Sequence, residues 1–436
     1  MKKNVMAILL SVCMAGGLFA GCGSGNSSGD ENKSQSTVAG ADKSTGDDIV
    51  VGAIYPMTGD LADSGKTMQQ GIDMAVEEIN EAGGVNGHQI KVIYGDSQGD
   101  SATGMSEAER LITQEKVNML MGCYQSGVTV TVAQIAEQYQ VPLITANATS
   151  DALTSNGYEY FFRLAPTNMM FVRDMIQYIV DESEKNADFA GKSITVFADN
   201  SEVGQQTCKW AKYWAEENSI EYKGEITYTS GAADLSSEVL ELKSMNPDVV
   251  VADCYVSDAI LFTKTLKEQG YEPPMIICKG NGFTESAYME SVGAQANGVV
   301  VATEFVVGTK GEDICAKYKE KYGEDFNGHS AEAYTTAWVW IDAFKAITDN
   351  GDEVTAENIQ KELTDIEISD SFSNENEIIL PYDKISFDES EFDGTPYLNQ
   401  NLNATLTVTQ IKDGAYIPIW PYDIAQSELQ YPASYK

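Results

Sequence analysis

Basic residues are scarce in this sequence. Its 436 residues include 28 Lys and Arg against 66 Asp and Glu, which gives a formal net charge of −38. A surface of this sign repels the phosphate backbone of nucleic acid, so we expect no nucleic acid among the partners. The acidity is otherwise typical of a well-solvated surface, and it does not point to one binding task.

Histidine is scarcer still, and this shortage removes the usual general bases. Residues 122–127 read GCYQSG, so Ser126 could be a nucleophile on a sharp turn. The glycine spacing departs from the G-x-S-x-G elbow, and neither histidine has an identifiable orienting group. His88 is predicted to lie in a turn, and the plain interpretation of His329 is a capping-region residue at a helix start. Cys123 as a nucleophile meets the same shortage. We therefore predict that the chain is not an enzyme.

The cysteine pattern indicates neither a metal site nor a disulfide framework. Seven cysteines are present, but none forms a CxxC pair or has the spacing of a zinc site. Cys254 and Cys278 both end apolar runs, so one bridge between neighbouring strands remains an alternative to buried free thiols. A P-loop and a G-x-G-x-x-G motif opening a helix are absent as well. We expect no cofactor and no metal.

The N-terminal segment is not predicted to belong to the folded core. Residues 1–21 carry two lysines, an apolar stretch and small residues, which is the plan of a secretory signal peptide. LFAGC, ending at Cys22, resembles the bacterial lipobox, and that resemblance implies cleavage before Cys22 and a lipid on this residue. A plain signal peptide is the alternative. Residues 22–48 are rich in Gly and Ser and have little to bury, so we predict a flexible tether.

From residue 49 onward, short apolar runs alternate with amphipathic stretches. Repeated β-α-β units of this kind predict parallel sheets covered by helices on both faces. The alternation restarts near residue 165 and contains too many units for one small sheet. We therefore predict an α/β fold of two similar doubly wound lobes with mainly parallel sheets. The tail is predicted to form a hairpin with its turn at Lys412-Asp413-Gly414.

Two predicted loops at consecutive strand ends carry hydroxyl and amide groups. In open parallel sheets, ligands bind beyond the carboxyl ends of the strands. Ser126 stands at a predicted helix start, where its hydroxyl and free backbone N–H groups suit an anion such as a carboxylate. Asn147 and Thr149 follow the next strand, in ITANATS. The two loops could converge on one small polar group, and simple N-cap and turn roles are the alternative.

The order of these motifs resembles a known family. VGAIYPMTGD at 51–60 is similar to the opening of the extracellular solute-binding proteins of branched-chain amino acid and amide ABC importers. GCYQSGVT at 122–129, VPLITANATS at 141–150 and LNATLTVTQIKDG at 402–414 continue the likeness, which covers nearly all of 49–425. It implies a type I periplasmic-binding-protein fold, in which three chain crossings join the lobes. It also implies that a ligand binds in the cleft and that closure presents the complex to a membrane permease.

The resemblance implies how the chain divides. Four segments are expected to alternate between the lobes, in the order lobe 1, lobe 2, lobe 1, lobe 2: 49–165, 166–300, 301–385 and 386–436. The three hinge crossings are expected near 163–167, 298–304 and 384–403. The last segment includes the predicted C-terminal hairpin.

The resemblance also implies a set of ligand contacts. In the amino-acid binders of the family, a Ser after the third strand and an Ala-x-Thr after the fourth hold the ligand's carboxylate and ammonium. These roles match Ser126, Asn147 and Thr149, and an aromatic from the second lobe matches Tyr255. The family's Glu near the ammonium is replaced by Asn281.

Further departures concern the cleft wall. Glu332, in SAEAYTTAW, is similar to the E-A-A-Y of the urea and short-amide binders and is expected to contact a cationic or amide nitrogen. An exposed helix residue is the alternative. The family's aromatics over the side-chain pocket are replaced by Ser64 and Val203, and we expect Tyr124 and Gln125 to line the pocket instead.

The function implied by the resemblance is an extracytoplasmic receptor anchored by lipid to the outer face of the bacterial cytoplasmic membrane. It is expected to capture a small polar solute, an amino acid of branched-chain type or a relative of it, and to deliver the solute to ABC permease subunits. A receptor for urea, a short amide or an amine is the alternative within the class. A ligand sensor for a signalling partner shares the same fold. We expect a monomer.

Overall fold

The computed structural model describes residues 48–189, 191–392 and 394–435. The predicted signal peptide, Cys22 and nearly all of the predicted tether lie outside these residues. Within the described ranges, no helix combines the length and the apolar character that a membrane crossing requires.

The first part of the chain alternates strands and helices. Its elements are β1 (Ile49–Tyr55), α1 (Ala62–Glu81), β2 (Ile90–Asp96), α2 (Ser101–Arg110), β3 (Met119–Gly122), α3 (Ser126–Tyr139), β4 (Leu143–Thr145), α4 (Ala152–Ser155) and β5 (Phe161–Arg163). β-branched residues in the first turns of α3 do not prevent that helix, because one of its faces is buried against the sheet.

A second series repeats the pattern. Its elements are α5 (Asn168–Lys185), β6 (Ser193–Asp199), α6 (Glu202–Glu217), β7 (Glu221–Tyr228), α7 (Ser236–Met245), β8 (Val249–Asp253), α8 (Val256–Glu268), β9 (Met275–Lys279), α9 (Gly280–Phe283), α10 (Ser286–Val292) and β10 (Val300–Thr303). The last part contains α11 (Glu312–Tyr322), α12 (Gly328–Asp349), α13 (Ala356–Asp365), β11 (Glu367–Ser369), β12 (Lys384–Ser386), β13 (Asp388–Phe392), β14 (Thr395–Gln400), β15 (Thr407–Lys412) and β16 (Ala415–Trp420).

Two seven-stranded sheets form the framework. The first has the order β13-β14-β5-β4-β3-β1-β2 and the second the order β16-β15-β10-β9-β8-β6-β7. β1 to β5 pair in parallel, as do β6 to β10, and antiparallel pairs occur only toward one edge of each sheet. The five parallel strands follow the same order in both sheets. The prediction of two similar, mainly parallel, doubly wound lobes is confirmed, and we call the first sheet with its helices lobe 1 and the second lobe 2.

Strand pairing differs from the expected segment boundaries at two places. β10 pairs with β9, so lobe 2 extends to Thr303 and not to residue 300. β13 and β14 join lobe 1 through β5, although 386–436 was expected to lie wholly in lobe 2. β13 is polar and largely exposed, so it lacks the apolar run that marks a strand in the sequence. The chain therefore passes between the sheets after Arg163, after Thr303 and after Gln400.

Helices α1 and α12 pack closely against each other in lobe 1. A Cβ atom on Gly71 would lie only 2.3 Å from the backbone oxygen of Ser330, so glycine is needed for this approach. The N-terminus of α12 is closed by a capping box between Asn327 and Ser330. This packing directs the first turn of α12 toward lobe 2.

The described cysteines are buried free thiols. Cys254 and Cys278 are among them, so the disulfide considered as an alternative is not formed. Burial raises the pKa of Cys123 well above its ordinary value, which disfavours the thiolate that a nucleophile requires.

Candidate functional site: a polar cleft between the lobes

A cavity of about 30 Å³ lies between the carboxyl ends of the two sheets. Both lobes contribute to its wall, which is the place where parallel sheets bind ligands. The lining residues are Tyr124, Ser126, Asn147, Thr149, Phe171, Val203, Tyr255, Lys279, Asn281, Glu304 and His329.

Two hydroxyl groups of lobe 1 face this cavity. Ser126 begins α3, and its Oγ accepts a hydrogen bond from the Ser150 backbone N–H at 3.1 Å. Thr149 follows β4, and its Oγ1 accepts a hydrogen bond from Lys279 Nζ at 2.8 Å. Each oxygen is thus used as an acceptor, and the hydroxyl proton remains able to donate to a molecule in the cavity.

Lys279 is a buried cation that sequence reasoning missed. It ends β9, and its Nζ donates to Thr149 Oγ1 and, at 2.7 Å, to Asn168 Oδ1. The same nitrogen lies 3.9 Å from Asp253 Oδ2 and 5.1 Å from the centre of the Phe171 ring. The bond to Thr149 joins the two lobes across the cleft.

Four ionisable residues form a row along the carboxyl edge of the lobe 2 sheet. β6, β8 and β9 end in Asp199, Asp253 and Lys279, and Glu304 is the first residue after β10. The pairing order β10-β9-β8-β6 brings these ends side by side, and we call the set the strand-end row. Burial, with the charge of Asp253 adding to it, raises the pKa of Asp199 to about 6. A charged residue at the end of a buried strand is the sequence signal that could have found the row.

Glu304 lines the cavity and is 6% exposed. Burial raises the pKa of its carboxyl above the ordinary value, and the nearby His329 and Lys279 oppose that shift. No side chain of the described residues donates a hydrogen bond to this carboxylate. Its own backbone N–H donates to the carboxylate, and the remaining acceptor positions face the cavity that the residue lines.

Asn147 connects the cavity wall to a second buried carboxylate. Its Nδ2 donates to Glu332 Oε2 and, at 3.4 Å, to the backbone oxygen of His329. Glu332 is fully buried, so the alternative of an exposed helix residue is wrong. Burial and the charge of Glu304 raise the pKa of Glu332 well above its ordinary value. Among the described residues, Asn147 Oδ1 and Glu332 Oε1 have no hydrogen-bond partner.

Asn281 lines the cavity, but its amide group is already engaged at both ends. Tyr124 Oη donates to Asn281 Oδ1 at 2.9 Å, and Asn281 Nδ2 donates to Asp253 Oδ1 at 3.0 Å. The Tyr124 ring packs edge-on against Tyr255, at 5.9 Å between centres, and against His329, at 4.8 Å. Tyr124 and Tyr255 thus form an aromatic wall that spans the lobes.

His329 has a different position from the one expected. Asn327 caps α12, and His329 lies within the first turn with its side chain in the cavity wall. Its Nδ1 lies 2.8 Å from Glu285 Oε1, and this carboxylate also accepts hydrogen bonds from Ser64 Oγ and Asn327 Nδ2. Glu285 belongs to lobe 2 and its three partners to lobe 1, so we call this group the Glu285 cluster.

Three of the expected site residues, Ser64, Gln125 and Glu332, do not line the cavity. Ser64 bonds to Glu285 at 2.9 Å, beside the cavity wall. The Gln125 side chain lies against Gly99 and not in the cavity wall. The structure thus brings together Tyr124, Ser126, Asn147, Thr149, Tyr255 and Asn281 at the cavity, with Glu332 behind Asn147.

The fold and this cleft define a class of protein: two similar α/β lobes that enclose a small polar cavity between the carboxyl ends of their sheets. A family model described as periplasmic binding protein matches residues 48–413, and the chain belongs to that family. The family expected from the sequence motifs is thus confirmed.

Individual relatives agree with this assignment. The Leu/Ile/Val-binding protein homolog 7 of Brucella suis is 32% identical over 399 residues, which cover 88% of this chain and 94% of the relative. The branched-chain amino acid transporter substrate-binding protein LivJ of Streptococcus pneumoniae, solved with isoleucine, has a TM-score of 0.69 at 23% identity, covering 85% of this chain and 99% of that one. A solute-binding protein of Rhodopseudomonas palustris, solved with 3,4-dihydroxybenzoic acid, has a TM-score of 0.70 at 20% identity, covering 84% and 94%. The two structures show that the fold is shared.

Proposed function

We propose that this protein is the substrate-binding component of an ABC importer. It captures a small polar solute, an amino acid of branched-chain type or related to it, and delivers the solute to permease subunits. The observation that carries the proposal is the enclosed polar cavity to which both lobes contribute, with Thr149 and Lys279 in contact across it. A solute that touches both walls stabilises the closed form, because it has these contacts only when the lobes meet.

The character of the cavity wall supports a small, polar ligand. Ser126 and Thr149 offer hydroxyl protons beside the Lys279 ammonium, and this combination suits a carboxylate. The relatives named for Leu, Ile and Val binding support the same choice of ligand class.

A receptor for urea, a short amide or an amine is the second candidate. It is favoured by the acceptor atoms of lobe 1 that have no partner among the described residues, Asn147 Oδ1 and Glu332 Oε1. Asn147 Oδ1 belongs to a residue of the cavity wall and would accept a hydrogen bond from an N–H group of such a solute, with Glu332 buried behind it.

Ligand binding without catalysis is the simplest account of the site. The Ser126 oxygen accepts a backbone N–H, and His329 Nδ1 faces Glu285 and not Ser126. Within the described residues, no general base is hydrogen-bonded to the Ser126 hydroxyl, although nucleophilic catalysis needs one. Ser126 is accordingly a ligand-holding residue in this proposal.

A ligand screen tests the proposal directly. The purified protein is heated with each of the twenty amino acids, urea, acetamide, alkylamines and 3,4-dihydroxybenzoate. A ligand at 100 times its dissociation constant adds roughly 2.7 kcal/mol to the free energy of unfolding, so the melting temperature rises clearly. We expect branched-chain amino acids or close relatives to give the largest rise. If no compound raises the melting temperature, the proposed capture function is contradicted.

We also propose that residues 1–21 are removed as a signal peptide and that Cys22 carries the lipid anchor. The support is the lipobox-like LFAGC followed by a Gly- and Ser-rich stretch. Cys22→Ser should move the protein from the membrane fraction to the soluble extracytoplasmic fraction. Cys13→Ser is the matched control, since it lies in the cleaved segment and should leave the protein in the membrane fraction. Membrane retention of Cys22→Ser would contradict the anchor.

A further inference from the structure

The cleft lacks the Glu that the family's amino-acid binders place near the ligand's ammonium. Asn281 occupies the position of the family's Glu, but it accepts from Tyr124 and donates to Asp253. An amide with both ends engaged has little capacity left for a cation, and it carries no charge. Another group of the cleft must hold a cationic nitrogen if the solute has one.

Glu304 has the properties that Asn281 lacks. Its carboxylate faces the cavity, is nine-tenths buried, and accepts no hydrogen bond from a described side chain. A buried carboxylate with no side-chain partner among the described residues is costly, so a cation or an N–H donor placed beside it is strongly favoured. Glu304 stands two residues beyond Ala302, which pairs with Lys279 in the sheet, so both charges lie along the same stretch of the cleft.

Lys279 provides the opposite charge at the hydroxyl end of the cavity. An ammonium group has three protons to donate, and Lys279 Nζ uses two of them on Thr149 and Asn168. Its third neighbour, Asp253, is 3.9 Å away, which is too long for a hydrogen bond. The remaining proton, with the Ser126 and Thr149 hydroxyls, forms a set of donors for one anion.

We propose that Lys279 and Glu304 are the two charged anchors of the bound solute. Its carboxylate lies at Lys279 with the hydroxyls of Ser126 and Thr149, and its ammonium lies at Glu304. This inference rests on the proposed capture function and narrows it. It assigns the carboxylate of the solute to Lys279, and it assigns the ammonium to Glu304 and not to Asn281.

Matched sets of ligands separate the two anchors. L-valine is compared with isovalerate, which lacks the ammonium, and with isobutylamine, which lacks the carboxylate. L-alanine, propionate and ethylamine form a smaller set. Titration calorimetry on the wild-type protein should show that the zwitterion binds at least about tenfold more tightly than either of its analogues, because each analogue leaves one charged anchor without a partner. Equal affinity of a zwitterion and one of its analogues would overturn the proposal.

Glu304→Gln tests the ammonium anchor without changing the shape of the side chain. Binding of the zwitterion should weaken roughly 10- to 100-fold, the range for a hydrogen bond to a charged group. Binding of the carboxylate-only analogue should be unchanged or tighter, since a nearby negative charge is removed. A merely structural role for Glu304 would weaken both ligands alike, and that result would overturn the assignment. Glu312→Gln, an exposed glutamate at the start of α11, is the matched control and should alter neither affinity.

Lys279→Met tests the carboxylate anchor, with Lys264→Met as the exposed control. The amine-only analogue should lose affinity only through the missing interlobe bond to Thr149, and the zwitterion should bind roughly 10- to 100-fold more weakly beyond that common loss. Equal weakening of both would overturn the assignment. If Lys279→Met does not fold, Glu304→Gln and the ligand sets still decide the outcome.

The ligand sets also separate failure of this inference from failure of the proposed function. If a singly charged or an uncharged probe binds and no zwitterion binds, the inference is overturned and the capture function stands. A chain that binds no compound at all would contradict both.

Discussion

Ser126 and Thr149 are the residues through which lobe 1 is expected to hold the solute. Their oxygens already accept one hydrogen bond each, from Ser150 and from Lys279, so their value to a ligand lies in the remaining hydroxyl proton. Ser126→Ala and Thr149→Ala should each weaken solute binding by about 3- to 10-fold, the range for one neutral hydrogen bond. Calorimetry measures the affinity, and the melting temperature reports on the fold.

The control for these variants is Ser106→Ala, an exposed serine on α2 that bonds only to its own helix. It should leave the affinity unchanged. Unchanged affinity in both Ser126→Ala and Thr149→Ala would remove these hydroxyls from the binding site. A larger loss for Thr149→Ala than for Ser126→Ala is expected, since Lys279 then also loses an acceptor.

Asp199 should make the stability of the folded protein depend on pH. Its pKa is raised to about 6 in the fold, against an ordinary value of 3.8, so the folded state holds this proton more tightly than the unfolded state. The free energy of unfolding should therefore fall as the pH rises from about 4 to about 6, and the full penalty applies above that range. Asp199→Asn removes the ionisation and should be more stable than wild type at neutral pH by up to about 3 kcal/mol.

Urea unfolding of wild type and Asp199→Asn across this pH range measures the effect. The two proteins should have similar stability near pH 4, because the carboxyl is then largely protonated in the folded state. A difference in stability that does not change between about pH 4 and pH 7 would contradict the assigned pKa shift.

Single residues also show where sequence reasoning succeeded and where it failed. Ser126, Asn147 and Thr149 follow strand ends, and local order along the chain places them in the cleft. His329 was expected to serve at a helix cap, because its distance from Glu285 is a tertiary property that no local pattern contains. Glu304 directly follows the buried strand β10, but its place beside Lys279 in the cleft depends on sheet pairing and not on local sequence.

At the scale of elements, the contact between α1 and α12 positions the lobe 1 side of the cleft. Gly71→Ala would place a Cβ atom 2.3 Å from the backbone oxygen of Ser330, so the helices must separate. Overpacking of this kind should lower the free energy of unfolding by roughly 1–3 kcal/mol. Solute binding should weaken as well, since α12 carries His329 and Glu332.

Gly127→Ala is the matched control for this prediction. Gly127 lies in the first turn of α3, and a Cβ atom there would meet nothing within 4 Å. Alanine should be neutral or stabilising by up to about 1 kcal/mol, because it has the higher helix propensity. Chemical denaturation compares the two variants, and equal stability would show that the α1–α12 contact tolerates separation.

At the scale of the whole molecule, the Glu285 cluster is a contact by which the lobes hold each other closed. Glu285 of lobe 2 accepts from Ser64, Asn327 and His329 of lobe 1, and it does not line the cavity. Glu285→Gln removes the charge and turns an amide N–H toward groups that are themselves donors. The open form should become more populated, and the apparent solute affinity should fall about tenfold without any change in a ligand contact.

Small-angle scattering of the solute-free protein should show a larger radius of gyration for Glu285→Gln than for wild type. Saturating solute should bring the two values together, because the ligand favours the closed form. Glu290→Gln, an exposed neighbour on α10, is the control and should behave as wild type. An unchanged radius together with an unchanged affinity would show that the cluster does not govern closure.

The sequence by itself determined the alternation of strands and helices, the repetition of that pattern in two lobes and the strand-end loops that line the cavity. These features depend on hydrophobic periodicity and turn residues, which are local along the chain. Only the tertiary structure decided that β13 and β14 join lobe 1 and that Lys279 and Glu304 stand together at the cleft. Sheet pairing decides both, because partners in a parallel sheet are distant in sequence and are selected by packing and register.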